Sequence, residues 1–160
     1  MKITLYDKIR SYLDETQTPR RETSHVATRT SKASSEARGD STSWGGKALV
    51  IKIGDAFRLM VLSAERSLDS ARVKEHFGVK KFRFATTEEL AALDLVPVAV
   101  PPLGEPNLRL ALRVDPSVLA NTVIAFNAGS LTESIILGID DYIRLSRPRV
   151  FRFAKDIESS

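Results

Sequence analysis

A chain of 160 residues, 42% hydrophobic and 28% charged, has the make-up of one soluble globular domain that can bury a core unaided. It has no cysteine, which excludes disulfides, thiolate zinc sites and cysteine nucleophiles; two histidines, His25 and His76, exclude a histidine-rich metal centre. The net charge of +4 leans mildly towards an acidic partner, and no apolar run approaches the roughly 20 residues of a membrane span.

In chain order, Leu5, Ile9, Tyr12 and Leu13 follow the 3.6 period and predict a helix over 4–14, with Thr4 and Asp7 spaced as in a capping box. This amphipathic, acid-bearing start is unlike a signal peptide, so the expected location is the cytoplasm. Residues 16–46 are polar and read as loop, with a short helix around 31–38; a lid or binding loop and plain disorder are both open. KALVIKIG and FRLMVLSA flank a short turn and predict an antiparallel hairpin. In its first strand Lys47 points the same way as Leu49, Ile51 and Ile53, so a charge opens the more apolar face. A strand-edge lysine reaching back to solvent would explain that, and so would a ligand.

LDSARVKEHFG predicts a helix closed by Gly78, KKFRFA a strand, and TTEELAAL a helix with Thr86 and Glu89 as its capping box. Four prolines make 96–107 an extended, restricted loop. LRLALRV alternates cleanly; TVIAFNAGS and ESIILG are further strands, IDDYIRLS a helix stopped before Pro148, and VFRF a last strand. Strands outnumber helices without a βαβ rhythm, so the class is α+β, in a single domain over 1–160.

Motifs for nucleotide binding, serine hydrolysis and metal binding are absent. GGK resembles the end of a phosphate-binding loop, but Ala48 replaces the required hydroxyl residue and a strand follows. His25 is a candidate base or an exposed loop residue, and His76 a surface histidine. Lys47 after two glycines, the proline loop with Val98 and Pro102, and the turn with Asn127, Gly129 and Ser130 each set polar groups beside apolar strands. Arg144, Arg147, Arg149, Arg152 and Lys155, and separately Lys80, Lys81 and Arg83, form basic segments that fit a solvated face or phosphate contact.

The order KALVIK, KKFRFATTEEL, a proline loop ending VPP, LRLALRVDPSVL and IAFNAGSLTESIIL resembles the YbaK/prolyl-tRNA-synthetase-associated domain family, and TRTSKASSEARG resembles its polar segment. The likeness spans about 20–145. It implies a mixed, mostly antiparallel, partly barrel-like sheet flanked by helices. The implied activity is that of a trans-acting aminoacyl-tRNA deacylase without metal or cofactor, acting on mischarged, most readily prolyl-tRNA-type, substrates. Lys47 matches the family's functional lysine. Lys47 and backbone N–H groups around Gly129 are then the implied oxyanion donors, and Val98, Pro102, Asn127, Ser130 and His25 the substrate-binding set. Arg144, Arg147 and Arg149 are assigned to tRNA. The implied partners are the acceptor end of aminoacyl-tRNA and an aminoacyl-tRNA synthetase, with no membrane. Val98 and Asp94 stand where the family commonly has glycine. A β-branched residue adopts glycine's backbone angles poorly, so Val98 implies an altered aminoacyl pocket or weakened activity. The rival readings are a weakened tRNA- or synthetase-binding module and a hydrolase of another small ester or amide.

Overall fold

The computed structural model describes residues 3–26 and 44–156. The helix expected around 31–38 and the TRTSKASSEARG segment lie outside the described residues.

Helix α1 (Leu5–Glu15) starts as expected: the Thr4 hydroxyl accepts the Asp7 N–H at 3.1 Å and donates to the Asp7 carboxylate at 2.8 Å. Such a cap contributes about 1 kcal/mol, and the apolar stripe buries Ile9 and Leu13. Strand β1 (Arg21–Ser24) corrects the reading of 16–46 as loop: it pairs antiparallel with β7 (Glu133–Gly138) at a sheet edge. An edge strand tolerates charge and needs no apolar face, so these four polar residues gave no periodic signal. The hairpin of β2 (Gly46–Ile53) and β3 (Ala56–Ser63) forms as expected, and so does α2 (Ser70–Phe77), closed by Gly78 at φ +65°. The capping box of α3 (Thr87–Ala92) has both of its hydrogen bonds.

Three expected strands are shorter than predicted. β4 keeps only Arg83–Phe84. β5 is confined to Ala111–Val114, because the Asn107 and Leu108 N–H groups both turn to the Gly104 carbonyl, at 3.0 Å each. β8 is Arg149–Val150: the Phe151 N–H still donates to the Val114 carbonyl at 3.3 Å, but the Phe153 and Ala154 N–H groups go to the Asp115 carboxylate at 2.8 Å each. Asp115 also caps α4 (Pro116–Leu119), a one-turn helix that sequence pattern missed. β6 (Val123–Asn127), β7 and α5 (Ile139–Ser146) lie where expected.

The α+β class stands, in two sheets: antiparallel β1-β7-β6, and mixed β4-β2-β3-β5-β8, in which β3–β5 and β5–β8 are parallel. They meet at a parallel bridge between Gly45 and Ala125 without closing into a barrel. One core fills the space beneath α1 and α5, with Leu59, Val61, Ile124, Phe126, Ile135 and Tyr142. A second covers the opposite face of the five-stranded sheet, with Ile51, Met60, Leu62, Val73 and Phe153. Both faces of the β2–β3 hairpin are therefore buried, which explains its near-continuous apolar sequence. Gly46 has a steric reason: a Cβ there would stand 2.5 Å from Ile124 Cδ1, so glycine lets β2 pass this close to β6.

Candidate functional site

Lys47 pairs with Leu62 in the β2–β3 ladder and opens the face that Leu49, Ile51 and Ile53 carry into the second core. It is half-buried, and burial pushes its ammonium below the usual lysine pKa. Among the described residues no carboxylate pairs with it. Desolvating a cation without a counter-charge costs stability, so this is a group that an external anionic or polarisable ligand would complete.

The Gly45–Ala125 bridge is parallel, so both chains leave it in one direction. Lys47 and Asn127 each stand two residues downstream of it, which brings the head of β2 and the end of β6 to the same end of the two sheets. From Asn127 a hydrogen-bonded chain runs through four residues. The Asn127 amide donates to the Val98 carbonyl (2.9 Å) and its oxygen accepts from the Ser134 hydroxyl (3.1 Å). The His25 Nε2 lies 2.7 Å from the same hydroxyl oxygen. The His25 Nδ1 lies 2.8 Å from the Val26 carbonyl, so a single ring proton can serve as donor in only one of these two contacts. The His25 N–H is itself held by the Thr132 carbonyl at 2.9 Å. His25, placed in a loop by sequence, is thus fastened to the β6–β7 hairpin at the end of β1.

The turn between β6 and β7 is equally defined. Gly129 adopts φ +77°, where a Cβ would also meet Leu5 of α1 at 2.9 Å. Its N–H donates to the Ala99 carbonyl at 2.9 Å and so pins the proline loop to the turn. The Gly129 N–H is therefore committed; the expectation concerned the backbone N–H groups around Gly129, of which this one is taken. The Ser130 hydroxyl lies 3.0 Å from the Thr132 hydroxyl and accepts the Thr132 N–H at 3.1 Å.

Val98 is about one-third exposed (37%) and adopts φ +69°; Asp94 adopts φ +60°. Both positions at which the family commonly has glycine therefore take a glycine-type backbone with a side chain attached. Pro102 is buried, and its carbonyl accepts the hydroxyl of the fully buried Tyr142 at 2.7 Å. Pro102 is thereby an anchor of the loop within the core.

Val98, Asn127, Gly129, Ser130 and His25 thus form one connected wall, and Lys47 heads the strand that bridges to β6 two residues earlier. Arg144, Arg147 and Arg149 lie elsewhere, in a cleft at the end of α5 and on β8. Sequence reasoning missed Ser134, which holds His25 and Asn127 together; its only signal was a hydroxyl inside the apolar run ESIILG. No helix among the described residues is long and apolar enough to cross a membrane.

Residues 25–145 match the aminoacyl-tRNA editing domain family. Over 138 residues the chain is 34% identical to the multifunctional Ser/Thr-tRNA deacylase ProXp-y of Escherichia coli strain K12, covering 82% of this chain and 81% of that one. The protein of the same name in the O157:H7 strain matches equally. A solved structure, that of a candidate trans-editing enzyme for prolyl-tRNA synthetase, superposes with a TM-score of 0.81 at 20% identity, covering 98% of this chain and all (100%) of that one. Likeness at that identity speaks for the fold.

Proposed function

The chain belongs to the aminoacyl-tRNA editing domain family, and on that premise we propose that it hydrolyses the ester of mischarged aminoacyl-tRNA in trans. The observation that carries the proposal for the site is the half-buried Lys47 ammonium, which has no counter-charge among the described residues and stands two residues past the Gly45–Ala125 bridge.

The ester is already activated, so no side-chain nucleophile is needed. Water adds to the carbonyl carbon, negative charge collects on its oxygen, and the bond to the terminal ribose oxygen breaks. That oxygen leaves with a proton, releasing amino acid and free tRNA. A neighbouring ribose hydroxyl orients the water. Lys47 and the Ser130 N–H, which takes over from the committed Gly129 N–H, supply positive potential where the oxyanion forms. Each such donor contributes roughly 10²–10³ in rate.

The Val98–Asn127–Ser134–His25 chain shapes the aminoacyl pocket. Its polar groups, together with the Ser/Thr specificity in the relative's name, favour a small or hydroxylated amino acid. Proline tRNA is the first carrier to try. The rival reading, a weakened binding module, drew its support from Val98; Val98 takes the backbone angles of glycine, which leaves that reading only the space its side chain fills.

The test measures release of labelled serine, threonine, alanine and cysteine from mischarged tRNA, with Lys47→Ala alongside. Release from at least one substrate, reduced about 10²–10³-fold in the variant, is the expected outcome. Because the ammonium is desolvated without a partner among the described residues, Lys47→Ala should leave the melting temperature unchanged or raise it. Equal release by both proteins would remove Lys47 from the chemistry. No release from any substrate, with tRNA still bound, would replace the deacylase by the binding module.

A further inference from the structure

A second site opens on the far part of the molecule. An open cleft of about 1000 Å³ lies between the end of α5, β8, the start of β5 and the Gly104–Pro106 end of the proline loop. Among the described residues six arginines line it, Arg58, Arg109, Arg113, Arg144, Arg147 and Arg149, and Glu105 is the one acid. None of them belongs to the Lys47 wall.

Tertiary pairing assembles this cluster from three separated stretches of sequence. Arg58 on β3 lies opposite Ala111 on β5, Arg113 is two residues further along β5, and Arg149 of β8 is the direct partner of Arg113. Like charges set opposite each other on neighbouring strands destabilise a sheet. A structural cluster would contain carboxylates to offset that. Here only Arg144 has one, Asp141 at 3.1 Å; among the described residues the other five arginines make no ion pair.

Further observations point outward to a ligand. The Nε atoms of Arg58 and Arg113 are buried and have no hydrogen-bond partner among the described residues. Both guanidinium groups lie over the Phe77 ring, at 5.3 and 5.6 Å from its centre, which orients them without neutralising them. Burial, then Arg149 and Arg58, push the Arg113 guanidinium below its usual value. His76, stacked on Phe151 at 3.6 Å, is likewise held below its usual value by burial, Arg113 and Arg149. The cluster is strained by its own charge and is relieved by anions. One small phosphate would leave most of six guanidinium groups unused, whereas a chain of phosphates would engage them in sequence.

We propose that this cleft holds the phosphodiester backbone of the tRNA, an assignment that rests on the deacylase reading for the identity of the RNA. Arg109, Arg147 and Arg149 are exposed and supply the outer contacts; Arg58 and Arg113 supply a preoriented floor.

The experiment reads the anisotropy of labelled, uncharged tRNA over a salt series for the wild type and for Arg109→Gln/Arg147→Gln/Arg149→Gln. The control, Lys8→Gln/Lys74→Gln, removes charge outside the cleft. The triple variant should bind about tenfold or more weakly, with a log–log salt slope shallower by about 2 to 3. For charged tRNA, KM should rise with kcat at saturation unchanged. The control should move affinity much less per charge removed. Unchanged affinity and slope in the triple variant would overturn the proposal, and so would an equal effect per charge in the control. Loss of inorganic phosphate binding alone, with tRNA affinity intact, would overturn the RNA assignment. Because affinity is read on uncharged tRNA, a wild type that releases no amino acid yet binds through the cleft removes the deacylase reading and leaves this one standing.

Discussion

Val98 bears a β-branched side chain on a backbone at φ +69°, a region in which an L-residue is strained by roughly 1–2 kcal/mol. The neighbouring contacts hold it there: Asn127 donates to its carbonyl, and the next residue, Ala99, accepts the Gly129 N–H. Glycine at this position would release the strain, less the extra chain entropy it loses on folding, roughly 0.5–1 kcal/mol. Val98→Gly should therefore stabilise the protein by about 0.5–1 kcal/mol in a denaturant titration. A marked loss of stability would mean that packing of the isopropyl group outweighs the backbone strain. The same variant empties space beside the Asn127 amide, so its preference among aminoacyl groups should broaden towards larger ones. A site discriminates one methylene by only about 1–3 kcal/mol, so the shift is measurable from kcat/KM ratios.

Among the elements, the proline loop is the one whose two ends serve different sites. Val98 and Ala99 face the Asn127–Gly129 wall, Pro102 is buried in the core, and Gly104 to Pro106 border the arginine cleft. Proline restricts the chain but cannot fix its position, because each ring removes a backbone donor. Side chains supply the anchors instead. The Tyr142 hydroxyl donates to the Pro102 carbonyl from a fully buried ring, and burial raises its pKa well above the usual tyrosine value, so it remains a donor throughout the accessible range. Tyr142→Phe leaves that carbonyl buried and unpaired, which costs about 1–3 kcal/mol. The expected result is a lower melting temperature together with a raised KM for charged tRNA, since loop and pocket share this anchor. A stability loss with unchanged kinetics would confine Tyr142 to the fold.

At the scale of the whole molecule, Asp115 joins the end of β5, α4 and the segment after β8. Its carboxylate accepts from the Ser117, Phe153 and Ala154 N–H groups, each at 2.8 Å, and it is almost fully buried. Burial alone would raise its pKa; the hydrogen bonds outweigh burial and hold it below the usual aspartate value. A carboxyl that is more acidic folded than unfolded stabilises the fold fully above its unfolded pKa, near 4, and loses that contribution as pH falls through the folded value. Asp115→Asn should therefore cost about 1–3 kcal/mol at neutral pH. Its stability should also fall less steeply than that of the wild type below about pH 4, as acid denaturation followed by circular dichroism would show. Parallel curves would remove Asp115 from the acid transition.

Local pattern was enough to determine the α+β class, the hairpin around Gly54, the capped helices α1 and α3, and the exposed and buried faces of the β5 strip, because each depends on period, cap or turn chemistry within a few residues. The ordered run of motifs also fixed the family, and with it Lys47 as the residue to question. Tertiary structure alone decided what those residues meet. β1 is polar and exists through its partner β7. Gly46 is needed because Ile124, far along the chain, lies against it. The Gly129 N–H is taken by Ala99, and Ser134 links His25 to Asn127. The basic cluster gains Arg58, Arg109 and Arg113 from elsewhere in the sequence. A hydrogen bond, a steric gap or a charge cluster depends on distances between chain-remote atoms, and those distances are set by how the two sheets pack.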